Sequence, residues 1–370
     1  MATLVNCFTI QGIDGYPVDI EIKTLEGQPA ISIIGLGDLA LKEAAERIQA
    51  AIDESGFVFP KKRVIISLAP GDKKKSGSHF DLAMAIGVLI QNQNISVKNL
   101  SSYGFIGELS LDGRLRSCKG ILPMVIAAKK KLITKLIIPT ENLAEASLVH
   151  GIELLGFEHL TDVLRFLEGR SQFTAVPSPS LALSSTPEVT LDFSDVRRQQ
   201  ELIESITLAA AGGHNLLMIG EPGCGKTMIA QRIPTILPHM TEEECLEVTK
   251  IYSIFGMLPQ DHSLINARPF RSPHHNVSLN ALIGGGANAM PGEVSLAHNG
   301  VLFLDELAEY SRRTLDALRQ PVEDKKVSIS KLTSVRHSYN FLTLSPSNFP
   351  KPGSSYRKTG GVKVSGTLAL

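Results

Sequence analysis

The sequence predicts an α/β protein, and two short motifs with their surroundings predict it. Residues 220–227 read GEPGCGKT, which fits the phosphate-loop pattern G-x-x-x-x-G-K-[ST]. This loop follows the apolar run 215–219, typical of a buried parallel strand, and precedes 228–233, typical of a helix. Residues 301–306, VLFLDE, form a second apolar run that ends in two carboxylates. Because nucleotide sites form at the carboxyl ends of parallel strands, both motifs are expected at one edge of a sheet.

The phosphate loop supplies candidate nucleotide-binding residues. Glycines let backbone N–H groups approach phosphate oxygens, and the following helix adds a favourable dipole. Lys226 is expected to contact the β- and γ-phosphates of ATP, and Thr227 to hold Mg²⁺. A chance glycine-rich turn is the alternative, and the second motif downstream in the right order argues against it. The candidate residues are Gly220, Glu221, Pro222, Gly223, Cys224, Gly225, Lys226 and Thr227.

The two carboxylates of the second motif complete the predicted site. Asp305 is placed to hold Mg²⁺ through water. Glu306 is placed to polarise the attacking water as a catalytic base. The chance alternative is an unrelated pair of surface acids.

Composition limits the function classes. The chain has 370 residues, which favours two domains, and 37 basic residues balance 37 acidic ones, so no global charge indicates nucleic acid. The four cysteines are scattered, which argues against a zinc site or a disulfide framework. The N-terminus lacks the pattern of a signal peptide, and no apolar run is long enough for a membrane span. A cytoplasmic protein is expected.

Residues 171–190 are rich in Ser and Pro and are predicted to be a linker between domains 1–170 and 191–370. Patterning in the first domain predicts strands at 18–22, 30–34, 63–68 and 136–138, and helices at 38–55, 81–91 and 116–131. In the second domain it predicts helices at 197–211 and 306–323, a helix capped by Thr241, and a strand at 341–344. The long segment between Lys226 and Asp305 indicates an insertion, with its glycine-rich part at 283–292.

Longer stretches resemble one family. Residues 268–275 (RPFRSPHH), 284–307 and 318–330 are similar to the magnesium-chelatase-like AAA+ ATPases, and most of all to their ComM (YifB) group. Residues 35–52, 66–89 and 107–123 resemble the Lon-protease-like domain, of the ribosomal S5 domain 2-like fold, that this group carries before its ATPase. The implied fold is this α/β domain followed by a P-loop AAA+ α/β domain.

The resemblance implies a function as well as a fold. It implies a hexameric ring ATPase that binds ATP and Mg²⁺ and drives DNA branch migration in homologous recombination during natural transformation. It also implies that Asn348, after the strand 341–344, is a sensor that orients the attacking water.

The Lon-like segment raises the hypothesis of a protease. Such enzymes pair a Ser nucleophile with a Lys base. Lys75 stands where the resemblance places the nucleophile, with Ser76 adjacent and Ser78 nearby, and Leu122 and Met124 occupy the segment expected to hold the base. The domain is therefore expected to be proteolytically inert and to act as a scaffold or a DNA-engaging module.

Other departures concern the ATPase half. Residues 349–370 do not follow the family pattern, the helical lid and its second sensor are missing, and Arg198 stands where the group has Gly. We therefore expect an incomplete ATPase that binds ATP more readily than it hydrolyses it. The alternatives are a magnesium-chelatase-type motor subunit and a non-hydrolysing, ATP-binding assembly factor.

Two further groups have open interpretations. The basic clusters 61–63, 73–75 and 129–131 are consistent with phosphate contacts of DNA or with solvated surface. Arg268, Arg271, His274 and His275 are consistent with a pore loop or subunit interface, a metal site, or a structural loop fixed by hydrogen bonds.

Overall fold

The computed structural model describes most of the chain as two compact units. The first comprises Met1–Leu181 and Tyr252–Ser263, and the second comprises Ala182–Ile251 and Leu264–Leu370. Apart from Ser171, the segment predicted to be a linker lies outside the described residues. The described residues are 2–35, 37, 39–93, 95–171, 191–197, 199–221, 223–258, 264–286, 290–324, 326–329, 335–338, 341–347 and 363–366.

A mixed sheet forms the centre of the first unit. Its strands are β1 (Thr3–Gln11), β2 (Asp14–Leu25), β3 (Ala30–Ile34), β4 (Arg63–Ala69), β5 (Tyr103–Phe105), β8 (Lys135–Pro139) and β9 (Glu153–Phe157), and β6 (Glu108–Leu109) and β7 (Leu115–Arg116) form a separate pair. The sheet order is β3-β4-β2-β1-β5-β8-β9. β2 pairs antiparallel with β1 and β4, and the other neighbours in the sheet are parallel.

Helices cover both faces of this sheet. They are α1 (Leu39–Glu54), α2 (Asp81–Gln91), α3 (Ile121–Lys130), α4 (Leu143–Ala146) and α5 (Leu160–Leu167). Alternate residues of a strand point to opposite faces. Accordingly, Val5 and Cys7 of β1 belong to the core with α1 and α2, whereas Phe8 belongs to the core with α3.

The predicted helix 116–131 begins later than expected, at Ile121. Arg116 belongs to β7, which pairs with β6. Gly120 then adopts a left-handed conformation with φ of +70° immediately before the helix. The hydrophobic pattern identified this helix, but the strand pair and the backbone at Gly120 decide where it begins.

The second unit contains a sheet with four parallel strands. Its strands and hairpins are β10 (Leu216–Ile219), β11 (Phe270–Arg271), β12 (Gly284–Gly285), β13 (Met290–Pro291), β14 (Gly300–Phe303), β15 (Lys326–Ile329), β16 (Val335–Ser338), β17 (Phe341–Ser347) and β18 (Lys363–Gly366). The sheet order is β11-β14-β17-β10-β18, with β18 antiparallel to β10. β12 pairs with β13 and β15 with β16, each pair antiparallel.

Helices precede, connect and follow the strands of the second unit along the chain. They are α6 (Gln200–Gly212), α7 (Lys226–Arg232), α8 (Glu242–Phe255, of which residues 252–255 belong to the first unit), α9 (Leu279–Ile283), α10 (Glu293–Leu296) and α11 (Arg312–Asp324). Thr241 caps α8 as predicted, because its hydroxyl accepts from the Glu244 amide (3.2 Å) and the Glu244 carboxylate accepts from the Thr241 amide (2.9 Å).

The predicted helix 306–323 also begins later than expected. A short 3-10 turn occupies Leu307–Glu309, and α11 begins at Arg312. Glu306 is left-handed, with φ of +51°, and Tyr310 is extended, with φ of −68° and ψ of 140°, so neither residue continues a helix. Among the described residues, no helix combines the length and the apolar character needed to cross a membrane.

Candidate nucleotide site

The phosphate loop, residues 220–227, connects the end of β10 to the first turn of α7. Its backbone passes through left-handed conformations at Gly223 (φ +79°) and Gly225 (φ +89°). A Cβ built on Gly223 would have no neighbour within 4 Å, so the backbone angle rather than space requires glycine there. Pro222 lies outside the described residues. The strand, loop and helix therefore follow one another as the sequence predicted.

Lys226 is folded over the phosphate loop. Only 8% of it is exposed, although it carries a cation. Its Nζ donates to the carbonyl oxygens of Gly220 (2.9 Å) and Glu221 (3.0 Å) and lies 3.7 Å from Cys224 Sγ. The ammonium group is thus held at the loop, where it is suited to meet the phosphates of a nucleotide.

The structure brings Thr227 and Asp305 together. The Thr227 hydroxyl donates to Asp305 Oδ2 at 3.4 Å. The sheet explains this proximity, because β10 and β14 both pair in parallel with β17, which lies between them. Their carboxyl ends consequently reach the same edge. A hydroxyl and a carboxylate are oxygen ligands of the kind that Mg²⁺ prefers, so the residues present fit this ion.

The strand before Asp305 is fully apolar and fully buried. Val301, Leu302 and Phe303 have no exposed surface, and Leu304 has 2%. The prediction of a buried strand that ends in two carboxylates is confirmed. Because this strand is buried, it holds the backbone of the two carboxylate residues in place at the sheet edge.

Glu306 has an unusual backbone. Its φ of +51° is uncommon for a residue other than glycine, and such conformations cluster at functional sites. Its amide donates to Asp305 Oδ1 at 2.9 Å. Its carboxylate Oε2 lies 3.4 Å from His275 Nδ1, and the Glu306 side chain is 49% exposed. The carboxylate is therefore open to water while one of its oxygens has a defined neighbour.

A second contact lies beside the first. The hydroxyl of Tyr310, a residue only 4% exposed, donates to the carbonyl of Pro273 at 2.8 Å. Burial, and secondarily the Asp305 carboxylate, raises the pKa of Tyr310 to about 12. Segments 273–275 and 306–310 are thus joined twice. Sequence reasoning missed both contacts, because no pattern or spacing links His275 to Glu306 or Tyr310 to Pro273.

The two arginines of the segment 268–275 are engaged within the unit. Arg271 makes a bidentate ion pair with Glu293, at 2.7 and 2.8 Å. Arg268 donates to the Asn299 carbonyl at 2.7 Å and contacts Glu244 at 3.3 Å. These bonds favour a structural loop for the arginines. In the part of the chain that the structure describes, no three His, Cys, Asp or Glu side chains form a group that could hold a metal.

Comparison with known proteins gives the family. A family model described as "Magnesium chelatase, subunit ChlI" matches residues 192–365, and one described as "Subunit ChlI of Mg-chelatase" matches residues 20–142. An uncharacterized protein of Mycobacterium tuberculosis is 42% identical over 327 residues, which is 88% of this chain and 64% of that protein. YifB of Salmonella typhimurium is 40% identical over 355 residues, 96% of this chain and 69% of YifB. Competence protein ComM of Haemophilus influenzae is 40% identical over 352 residues, 94% of this chain and 68% of ComM.

The chain belongs to the magnesium-chelatase-like AAA+ family of YifB and ComM. It spans 64% of the length of the mycobacterial relative and 68% to 69% of ComM and YifB. This family implies the use of a nucleotide and Mg²⁺, in agreement with the donors at the phosphate loop. Asn348, predicted as a sensor, lies just after β17 and outside the described residues.

A Lon protease of Clostridioides difficile is 26% identical over 174 residues, 44% of this chain and 22% of the protease. The predicted fold class, a Lon-protease-like α/β domain followed by a P-loop AAA+ domain, is confirmed for this YifB- and ComM-type chain.

In the first unit, Lys75 is fully buried, and its Nζ donates to the Pro70 carbonyl. Burial lowers the pKa of Lys75. Ser78 Oγ donates to the Glu108 carboxylate.

The segment expected to hold a protease base is apolar. Leu122 and Met124 lie in α3 and have no exposed surface. The first unit also holds an ion pair between Arg47 of α1 and the fully buried Asp81 of α2, whose atoms approach to 2.9 Å. Desolvation raises the pKa of Asp81 to about 6 even though Arg47 opposes the shift. Lys75, Ser78 and Asp81 of the first unit are therefore each bonded to an internal partner.

The basic clusters of the first unit are partly paired. Lys62 donates to Glu26 at 2.7 Å, and Lys131 contacts Asp19 and donates to Asn6 at 2.9 Å. Lys73 Nζ lies 4.7 Å from the centroid of the Tyr16 ring. The two ion pairs offset part of the positive charge of the clusters 61–63 and 129–131.

Proposed function

We propose that this protein is an ATP-hydrolysing motor that forms a homo-oligomeric ring, a hexamer, on DNA in the cytoplasm. Its task would be branch migration during homologous recombination in natural transformation. The observation that carries the ATPase part is the 3.4 Å approach of Thr227 Oγ1 to Asp305 Oδ2 beside the phosphate loop. A hydroxyl and a carboxylate from separate strand ends, next to a loop-held lysine, suit a magnesium nucleotide.

The residues of the site have separate roles in this proposal. Lys226 and the loop residues 220–225 hold the phosphates, while Thr227 and Asp305 hold Mg²⁺. The ion would neutralise negative charge on the phosphates. Glu306, with its exposed carboxylate, accepts the proton of the attacking water. Asn348, the next residue in the sequence after β17, would orient that water.

The DNA part rests on the relatives rather than on charge. One relative carries the name competence protein, and the chain covers most of it. Lysines at the surface of the first unit, such as Lys61 and Lys74, would contribute sequence-independent phosphate contacts. We also propose that the first unit, domain 1–170, is proteolytically inert and serves the motor as a scaffold or DNA-engaging module.

Calorimetry with Mg·ATP and a phosphate-release assay with branched DNA test this proposal. The wild-type protein should bind Mg·ATP, and Lys226→Ala should reduce that affinity at least ~10-fold by removing the cation at the phosphate loop. Lys98→Ala, which removes an exposed lysine of the first unit, is the matched control. Absence of binding by the wild-type protein, or equal binding by Lys226→Ala, would refute the ATPase proposal.

A magnesium-chelatase-type motor subunit is the second candidate, because the ChlI family models match residues 192–365 and 20–142. The two candidates differ in what stimulates hydrolysis. A branch-migration motor should hydrolyse ATP faster when branched DNA is added. A rate indifferent to DNA would favour the chelatase-type motor, whereas ATP binding without turnover would favour a nucleotide-dependent assembly factor.

A further inference from the structure

The Glu306 carboxylate has a ring nitrogen as a neighbour. His275 Nδ1 lies 3.4 Å from Glu306 Oε2, and the two side chains are 23% and 49% exposed. The Glu306 amide is already fixed by Asp305 Oδ1 at 2.9 Å. The backbone of this acid is therefore anchored on one side, and its carboxylate has His275 as a neighbour on the other.

The position of His275 is itself fixed by its loop. Tyr310, which follows Glu306 by one short turn, donates its hydroxyl to the Pro273 carbonyl at 2.8 Å. On the other side, the Val277 amide donates to the His274 carbonyl at 2.9 Å, so His275 lies within a turn closed by this bond. Since Pro273 is buried and Tyr310 is only 4% exposed, this attachment is shielded from water.

A glutamate has several rotatable side-chain bonds, and a misplaced base loses rate even when its substrate is bound. Outer-shell partners that orient the ligands of a metal site typically matter 10- to 100-fold for affinity or activity, and a partner that orients a base beside such a site is expected to act in the same way. We infer that His275 is a positioning residue for Glu306: it holds Oε2 and leaves Oε1 to meet the attacking water, while Tyr310 holds the loop that carries His275. This role rests on the proposed function of Glu306 as the base.

Steady-state kinetics with three variants test this inference. His275→Ala should lower kcat about 10-fold and leave KM and the affinity for ATP within about twofold, because only the orientation of the base is lost. His275→Gln, which keeps a side-chain hydrogen-bond donor, should recover most of kcat. His239→Ala, which removes an exposed histidine elsewhere in the second unit, should match the wild-type protein.

A double-mutant cycle separates positioning from general stability. Tyr310→Phe should lower kcat about threefold in the wild-type background and have no further effect in His275→Ala, because both act through one contact. Full additivity of the two losses, or a kcat for His275→Ala equal to that of the wild-type protein, would overturn the positioning role.

A spectroscopic measurement addresses the contact without relying on turnover. In protein labelled at histidine, the ring signals of His275, assigned by their loss in His275→Ala, should move in Glu306→Gln and stay in place in Glu309→Gln. Signals of His275 unmoved by Glu306→Gln would overturn the inference while leaving the ATPase proposal intact. A wild-type protein that neither binds nor hydrolyses ATP would overturn the proposed function and, with it, this inference.

Discussion

In the second unit, Thr227, Asp305 and Glu306 lie at the edge of a sheet where strands end, whereas in the first unit Lys75, Ser78 and Asp81 are bonded to internal partners. Thr227 and Glu306 are exposed where strands end. Lys75 and Asp81, by contrast, are fully buried and bonded to a backbone carbonyl and to Arg47. We therefore expect the chemistry in the second unit and a stabilising role for the buried polar groups of the first.

The largest expected effect is at the open site. Glu306→Gln removes the proposed base and keeps the shape and the backbone bond to Asp305. Turnover should fall by roughly 10²–10⁴-fold, with ATP binding unchanged within about threefold, because proton acceptance is lost but no phosphate contact is. A phosphate-release assay and calorimetry measure the two quantities. The control is Glu309→Gln, which changes an exposed acid in the following turn. Turnover that survived in Glu306→Gln would show that the proposed base of the second unit is not needed for hydrolysis.

The second largest expected effect is on stability, at the buried ion pair between Arg47 and Asp81 in the first unit. Arg47→Met leaves the Asp81 carboxylate buried without its partner, which should cost about 3–5 kcal/mol of stability. Adding Asp81→Asn should recover much of that loss, since no unpaired charge then remains. Hydrogen exchange of peptides from α2 reports this unit separately. Arg63→Met, at an exposed arginine, should change little, and a similar loss in both variants would contradict the assignment.

The same carboxylate predicts a pH dependence with a definite sign. Burial raises the pKa of Asp81 from 3.8 to about 6, so the folded state binds a proton that the unfolded state has released. Its contribution to stability is present below about pH 4 and is lost as the pH rises through about 6. The stability of the wild-type protein relative to Asp81→Asn should fall by about 3 kcal/mol across this window. A difference that is flat or rises with pH would exclude Asp81 as the cause.

The sequence predicted features that depend on neighbouring residues better than contacts between residues far apart in the chain. The GEPGCGKT and VLFLDE segments predicted the phosphate loop and the buried strand, because each depends on the chain within a few residues. The predicted starts of α3 and α11 were wrong, because the left-handed backbones at Gly120 and Glu306 and the extended backbone at Tyr310 override the hydrophobic pattern. The contact between His275 and Glu306 joins separate loops through the sheet, and no periodicity encodes it.

The smallest expected effect concerns the protease hypothesis itself. Incubation with an unfolded protein substrate should give no cleavage, with or without ATP, because Lys75 is buried at the nucleophile position and Leu122 and Met124 are apolar. Ser76→Ala and Ser78→Ala should leave ATP turnover within about twofold of wild type, since both serines lie in the other unit. Mass spectrometry of the substrate detects any product. Cleavage by the wild-type protein that disappears in Ser76→Ala or Ser78→Ala would show that the first unit has an active serine nucleophile. Catalysis would then not be confined to the second unit.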